Sequence, residues 1–179
     1  KMVESAIEMV NVQKIFSNGV KALKSLNMTI KAGESVGYLG PNGAGKTTTI
    51  QILLNLLRPT KGEVFVFGEQ MAGQERRILR QIGALVGQPG FYDYLTPHQL
   101  LKHICRLYRM SLQTINNRIR VVLDQVGLYE VRYRRIGGFS TGMRRRLGIA
   151  QVLVHDPALL IFDEPTNGLD PTGVREVRD

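Results

Sequence analysis

Eight consecutive residues, Gly40-Pro41-Asn42-Gly43-Ala44-Gly45-Lys46-Thr47, place glycine at the first, fourth and sixth positions and close on a lysine and a hydroxyl. That spacing suits a polyphosphate. Glycines let successive backbone N–H groups, from Asn42, Gly43, Ala44 and Gly45 on to Thr47 and Thr48, turn into one concavity, and the start of a following helix adds partial positive charge. Lys46 is then placed to reach the β- and γ-phosphates, and the Thr47 hydroxyl to ligate Mg²⁺. The plainer alternative is a glycine-rich turn with an incidental lysine, but every fixed position and both flanking elements agree with the phosphate reading. A second constellation complements the first. The apolar run Leu159-Leu160-Ile161-Phe162 delivers Asp163 and Glu164 at its carboxyl end, where open α/β sheets bind ligands. Asp163 suits the Mg²⁺ shell, and Glu164, leaving the strand on the other side, suits taking a proton from an attacking water. Taken alone, the pair also reads as two surface acids at a strand end.

These residues need a scaffold, and the hydrophobic pattern supplies one. Val36 to Gly40 reads as a buried strand, and the periodic segment from Lys46 to Leu57 as a helix ending near Arg58, because Pro59 cannot continue it. Glu63 to Gly68, Ile82 to Val86 and Ala158 to Phe162 read as further strands, so strands and helices alternate as in an α/β core with a mostly parallel sheet flanked by helices. Thr96-Pro97-His98-Gln99 combines an N-cap, a first-turn proline and a capping-box glutamine. Helical stripes follow on either side of Ser111 up to Gly127, which predicts a helical insert over about residues 95–138. Ala6 to Val10 and Asn27 to Ile30 predict an N-terminal antiparallel β subdomain of unassigned pairing. The whole of 1–179 is expected to be one domain.

Composition bounds the function. The chain has 179 residues, 43% of them hydrophobic and 22% charged, which excludes wholesale disorder. Its one cysteine, Cys105, excludes an intrachain disulfide or a cysteine-based metal site and fits a reducing compartment. Every apolar run is broken well short of a membrane span, and residues 1–5 lack the apolar core of a secretory leader. The net charge of +9 suggests a polyanionic partner, whether nucleotide, nucleic acid or anionic lipid, or simply a solvated basic surface. The clusters Arg76-Arg77-Arg80, Arg132-Arg134-Arg135 and Arg144-Arg145-Arg146 are expected as solvated faces, some of them near lipid phosphates. His98, His103 and His155 lack metal-ligand spacing and are expected to be ordinary surface or core histidines.

Phe139-Ser140-Thr141-Gly142-Met143, followed by Arg144 to Ala150 and lying just upstream of the acidic strand, resembles the signature motif of ABC-type ATPases. Gln88 and the turn Asn167-Gly168-Leu169-Asp170 extend the resemblance along nearly the whole chain. Phe139, Thr141 and Met143 depart from the family's Leu-Ser-Gly-Gly-Gln pattern, while Ser140 and Gly142 keep it. The resemblance implies a P-loop NTPase fold in which Ser140 and Gly142 face the γ-phosphate of an ATP held by a second subunit, in a head-to-tail dimer. It implies that Gln88 contacts Mg²⁺ or the attacking water, that Asp170 crosses to order the partner's site, and that Phe16 stacks on adenine beside Val20 and Ala22. Plainer readings stay open: a helix N-cap for Ser140, an N-cap before Pro171 for Asp170, a core aromatic for Phe16.

The expected function is therefore the ATP-binding and ATP-hydrolysing subunit of an ABC transporter, using ATP and Mg²⁺. It would sit on the cytoplasmic face of the cell membrane, docked on separate transmembrane permease subunits. The stretch Phe91 to Thr96 and the Ser-Thr-Gly-Met-Arg form of the signature resemble exporters of antibiotic peptides and drugs. The rivals are a soluble ABC ATPase of translation or DNA repair, and a nucleotide-binding fragment with little turnover; binding of nucleic acid is not expected. In the family a switch histidine follows the aspartate turn, and none of the three histidines lies there, so the 179 residues are expected to be a C-terminally truncated cassette that binds ATP but turns it over poorly.

Overall fold

The computed structural model describes residues 5–163, which divide between Arg80 and Gln81 into two compact units. The first unit is built on an antiparallel sheet of order β2-β1-β3-β4, with β1 at Ser5–Ile15, β2 at Lys21–Lys31, β3 at Lys61–Val66 and β4 at Glu69–Gln70. This fixes the N-terminal pairing that the sequence leaves open. The strand β1 buries Ile7 and Met9, then Val12, so its inward face changes from odd to even positions between them. A β-bulge makes that change. Asn11 takes a φ of +49°, its N–H donates to Asn27 Oδ1 at 2.8 Å, and the ladder register shifts on both sides of β1. One extra residue thus re-aims every side chain beyond it. Gly62 on β3 lies against the bulge with φ of +89°, where any Cβ would strike the carbonyl oxygens of Val10 and Asn11.

Two helices complete this unit, α1 at Lys46–Leu53 and α2 at Glu75–Leu79. The helix α1 is shorter than its pattern predicts. Asn55 adopts a left-handed φ of +53°, its N–H donates to the Ile52 carbonyl at 3.0 Å, and the Leu56 N–H reaches back to the Gln51 carbonyl at 2.8 Å. That is a Schellman stop with asparagine in glycine's usual place, four residues before Pro59. The predicted strand at Val36 to Gly40 is also corrected: these residues join no ladder, and Leu39 is 92% exposed. A strand holds its place through paired backbone groups and side chains buried on a neighbour, and this segment finds neither among the described residues.

The second unit starts with β5 at Ile82–Leu85, which pairs in parallel with β6 at Leu159–Phe162, the two joined through α3 at Pro97–Leu107, α4 at Leu112–Gln125 and α5 at Thr141–Leu153. The sequence signals at the helix ends hold. Thr96 Oγ1 accepts from the Gln99 N–H at 3.2 Å while Gln99 Oε1 accepts from the Thr96 N–H at 3.0 Å, with Pro97 in the first turn. Ser111 caps α4 through the Thr114 N–H, and Gly127, at φ of +63°, ends it. Leu101, Cys105, Ile115, Ile119, Val122, Leu123 and Leu147 meet in one buried cluster that locks the three helices together. At Gly83 a Cβ would lie 2.6 Å from the Val152 carbonyl oxygen, so α5 packs on the backbone of β5. Among the described residues, no helix is long and apolar enough to cross a membrane.

Candidate functional site

The predicted phosphate loop, residues 40–47, belongs to the first unit. Gly43 and Gly45 both take left-handed φ, +83° and +89°, and the Ala44 N–H closes a turn on the Pro41 carbonyl at 3.1 Å. Gly45 is fixed twice over, because a Cβ there would sit 2.7 Å from the Ala22 carbonyl oxygen and 2.7 Å from Leu23 Cδ2. It is also the N-cap of α1, so no side chain closes the helix start and no acid lies in its first turn. The first-turn amides are left for an anion, as helix geometry and dipole both favour. Thr49 turns inward, its hydroxyl donating to the Gly45 carbonyl at 3.0 Å, while Thr47 is exposed. The Lys46 ammonium donates to the carbonyls of Gly40 at 2.6 Å and Pro41 at 3.0 Å. Phe16 lies in the β1–β2 turn, 37% exposed rather than in the core, with Lys14 Nζ 5.5 Å from its ring centroid; Val20 is exposed and Ala22 half-buried.

In the second unit, Asp163 follows β6 at half burial, its N–H donating to the Leu85 carbonyl at 2.9 Å. The partner strand β5 ends just before Gly87 and Gln88, so the parallel pairing brings the backbone at Asp163 alongside the strand that leads to exposed Gln88. Ser140 is the N-cap of α5, its Oγ accepting from the Met143 N–H at 3.2 Å. The capping reading is therefore met, and the hydroxyl proton is still available to donate. Gly142 differs from Gly45 in kind: its φ is ordinary, and a Cβ there would meet nothing within 4 Å. Glu164, Asp170 and the turn around it lie outside the described residues.

With two half-sites in place, the relatives become informative. The profile of the family described as "ABC transporter" matches residues 23–167. The chain belongs to the ABC transporter family. It is 47% identical over 158 residues to the bacitracin transport ATP-binding protein BcrA of Bacillus licheniformis, an overlap of 88% of this chain and 51% of that protein. It is 41% identical over 161 residues to the ABC transporter ATP-binding protein NatA of Bacillus subtilis, covering 89% of this chain and 65% of that one. The chain thus spans about half the length of the bacitracin relative. Among solved structures, cbiO1 from Clostridium perfringens, described as part of the ABC transporter complex cbiONQ, superposes with a TM-score of 0.88 at 29% identity, over 97% of this chain and 71% of that one. The ATP-binding cassette MJ0796, a dimer bound to ADP and Pi, superposes with a TM-score of 0.83 at 28% identity, over 96% and 79%. The expected ABC fold, with an N-terminal antiparallel sheet and a parallel core sheet flanked by helices, is thereby established.

Within this ABC framework one member of the arginine clusters, Arg145, is corrected. Arg145 is 6% exposed and donates from Nη1 to the Gly87 carbonyl at 2.9 Å, and Arg144 Nη2 pairs with Asp93 Oδ1 at 2.7 Å. Arg132 stacks on the Tyr129 ring with Cζ 3.9 Å from the centroid, and Arg77 pairs with Glu69 at 3.0 Å. Arg145 is thus a buried anchor and Arg132 and Arg144 are half-buried, whereas Arg76, Arg77, Arg80, Arg134 and Arg135 are exposed, as the sequence predicts. Sequence pattern missed Arg145 because three consecutive arginines carry no mark of which one turns inward. The histidines behave as ordinary ones: His155 stacks on Tyr108 at 4.0 Å with Nε2 3.3 Å from the Ile82 carbonyl oxygen, and burial pulls its pKa down.

Proposed function

We propose that this chain is the ATP-binding and ATP-hydrolysing part of an ABC transporter, working in an ATP-dependent head-to-tail dimer on the cytoplasmic face of the membrane and docked on separate permease subunits. The observation that carries the reading is the start of α1, uncapped by any side chain and preceded by two left-handed glycines with Lys46 at its first position. The triphosphate lies on the amides of Asn42 to Thr48, and Lys46 releases the Gly40 and Pro41 carbonyls to take β- and γ-phosphate oxygens. The oxygen donors of Thr47, Asp163 and Gln88 fit a hard cation, and Mg²⁺ when bound neutralises charge on the phosphoryl oxygens. Glu164 takes the proton from the attacking water, and Asp170 orders the partner's site. Phe16 offers its open ring to adenine.

Ser140 and Gly142 serve the γ-phosphate of the other subunit. A glycine with no internal reason to be one supports that role, since in a helix it costs about 0.5–1 kcal/mol against alanine. Similarity to a bacitracin transport ATPase supports a peptide antibiotic or drug as cargo and export as direction. Glu164→Gln tests the chemistry: nucleotide binding should persist and the ATP-bound dimer accumulate, whereas loss of binding would mean that the base is misplaced. Deleting the gene tests the cargo, with a fall in bacitracin tolerance expected and unchanged tolerance removing bacitracin.

A further inference from the structure

Gln88 is exposed, yet the residues on either side of it are held by a single helix. On one side, the Gly87 carbonyl takes the guanidinium of Arg145 at 2.9 Å. On the other, Pro89 lies against Gly148, where a Cβ would come within 3.0 Å of Pro89 Cγ and 3.3 Å of Leu85 Cδ1. Farther along, Asp93 is clasped by Arg144 at 2.7 Å, and its carbonyl accepts from the Gly137 N–H at 3.0 Å. Arg144, Arg145 and Gly148 all stand on α5, the helix whose cap is Ser140. We propose that Arg145, backed by Gly148 and Arg144, is the positioning residue for Gln88, so that the glutamine and the Ser140–Gly142 turn move as one body.

Burying a guanidinium is expensive unless it is hydrogen-bonded, and a charge-assisted bond to a backbone carbonyl is among the stronger ones available, strong enough to hold that carbonyl in place. Here the carbonyl belongs to a left-handed glycine, with φ of +67°, immediately before the functional side chain. Gly87 therefore sets the direction in which the chain enters Gln88, and Arg145 sets Gly87. The contact at Gly148 fixes the exit. Because the helix is stiff, a pull on its first turn reaches the glutamine through the Arg145–Gly87 bond. The inference rests on the proposed roles of Gln88 and Ser140: if Ser140 answers a partner's γ-phosphate and Gln88 its own subunit's metal, α5 connects the two nucleotide sites of a dimer.

The test uses wild type, Arg145→Met, Arg145→Lys, Asp93→Asn and Gln88→Ala, each checked for native circular dichroism. Amide hydrogen exchange over residues 86–92 should speed up by about tenfold or more in Arg145→Met, from the loss of one charged hydrogen bond, and recover in part in Arg145→Lys. The exposed Asp93→Asn change, which spares the core, should loosen only residues 91–95. Mg²⁺ titration against a bound fluorescent ATP analogue supplies the second readout: Arg145→Met should shift the midpoint in the same direction as Gln88→Ala, and the double variant no further than Gln88→Ala alone. A folded Arg145→Met chain with wild-type exchange over 86–92, or with a wild-type Mg²⁺ midpoint where Gln88→Ala shifts it, would overturn the proposal. Should Arg145→Met not fold, Arg145→Lys decides it: exchange over 86–92 faster than wild type upholds the clasp, and wild-type exchange there rejects it. If Gln88→Ala leaves the midpoint unchanged, the reading of Gln88 fails, and the clasp is judged by exchange alone.

Discussion

Two helices of this protein begin at a glycine-containing turn, and they treat their free amides in opposite ways. The helix α5 caps itself with Ser140, as α3 does with Thr96 and α4 with Ser111. Among the described helices of eight residues or more, α1 alone starts without a side-chain cap, at Gly45. The glycines differ in the same sense. Gly45 is required by the chain's own backbone, whereas nothing inside the chain requires Gly142. The proposed roles follow that difference: α5 satisfies its own first turn and would present it to another subunit, while α1 leaves its first turn for a ligand.

The contrast is sharpest under substitution. Gly45→Ala combines a left-handed φ with contacts of 2.7 Å and should cost about 2–4 kcal/mol of stability by thermal unfolding, with ATP binding abolished. A variant as stable as wild type would mean that the loop does not need this backbone. Lys46→Ala should leave folding intact and weaken ATP binding by about tenfold to a hundredfold, from the loss of charge-assisted bonds to phosphate. Isothermal titration decides it, and unchanged affinity would remove Lys46 from the site.

On the α5 side, Ser140→Ala should cost about 1 kcal/mol through the lost cap, while ATP affinity of the monomer stays as it was. Gly142→Ala should raise stability by about 0.5–1 kcal/mol and yet weaken ATP-dependent dimerisation, visible by size-exclusion chromatography. Unimpaired dimerisation would make Gly142 an ordinary helix residue. The smallest effect belongs to His155 near the end of α5. Burial lowers its folded-state pKa, so the unfolded chain binds the proton more readily, and stability should fall as pH drops below about 6.5. His155→Phe, which keeps a ring against Tyr108, should flatten that part of the melting-temperature profile.

Much of this contrast is legible in the sequence, because it depends on local chemistry. The glycine spacing before Lys46, the Thr96–Gln99 box, the stop at Gly127 and the apolar run leading to Asp163 each announce their geometry within a few residues. What stayed hidden depends on distant partners. The bulge at Asn11 is held by Asn27 across the sheet and by the absence of a side chain at Gly62, and no window along β1 contains either. Asn55 ends α1 by adopting a conformation open to asparagine but not demanded by it. Val36 to Gly40 has the composition of a strand, but a ladder needs a neighbour, which composition does not specify. Arg145 is distinguished from Arg144 and Arg146 only by where α5 packs.

The unladdered Val36 to Gly40 segment has a bearing on handling as well as on architecture. Uncharged and β-prone, joined to no ladder among the described residues and with Leu39 almost fully in solvent, it is the kind of stretch that recruits a like stretch from a neighbouring molecule. Concentrated preparations should therefore self-associate through it, and Leu39→Lys should keep them clear by light scattering while sparing the phosphate loop that begins one residue later.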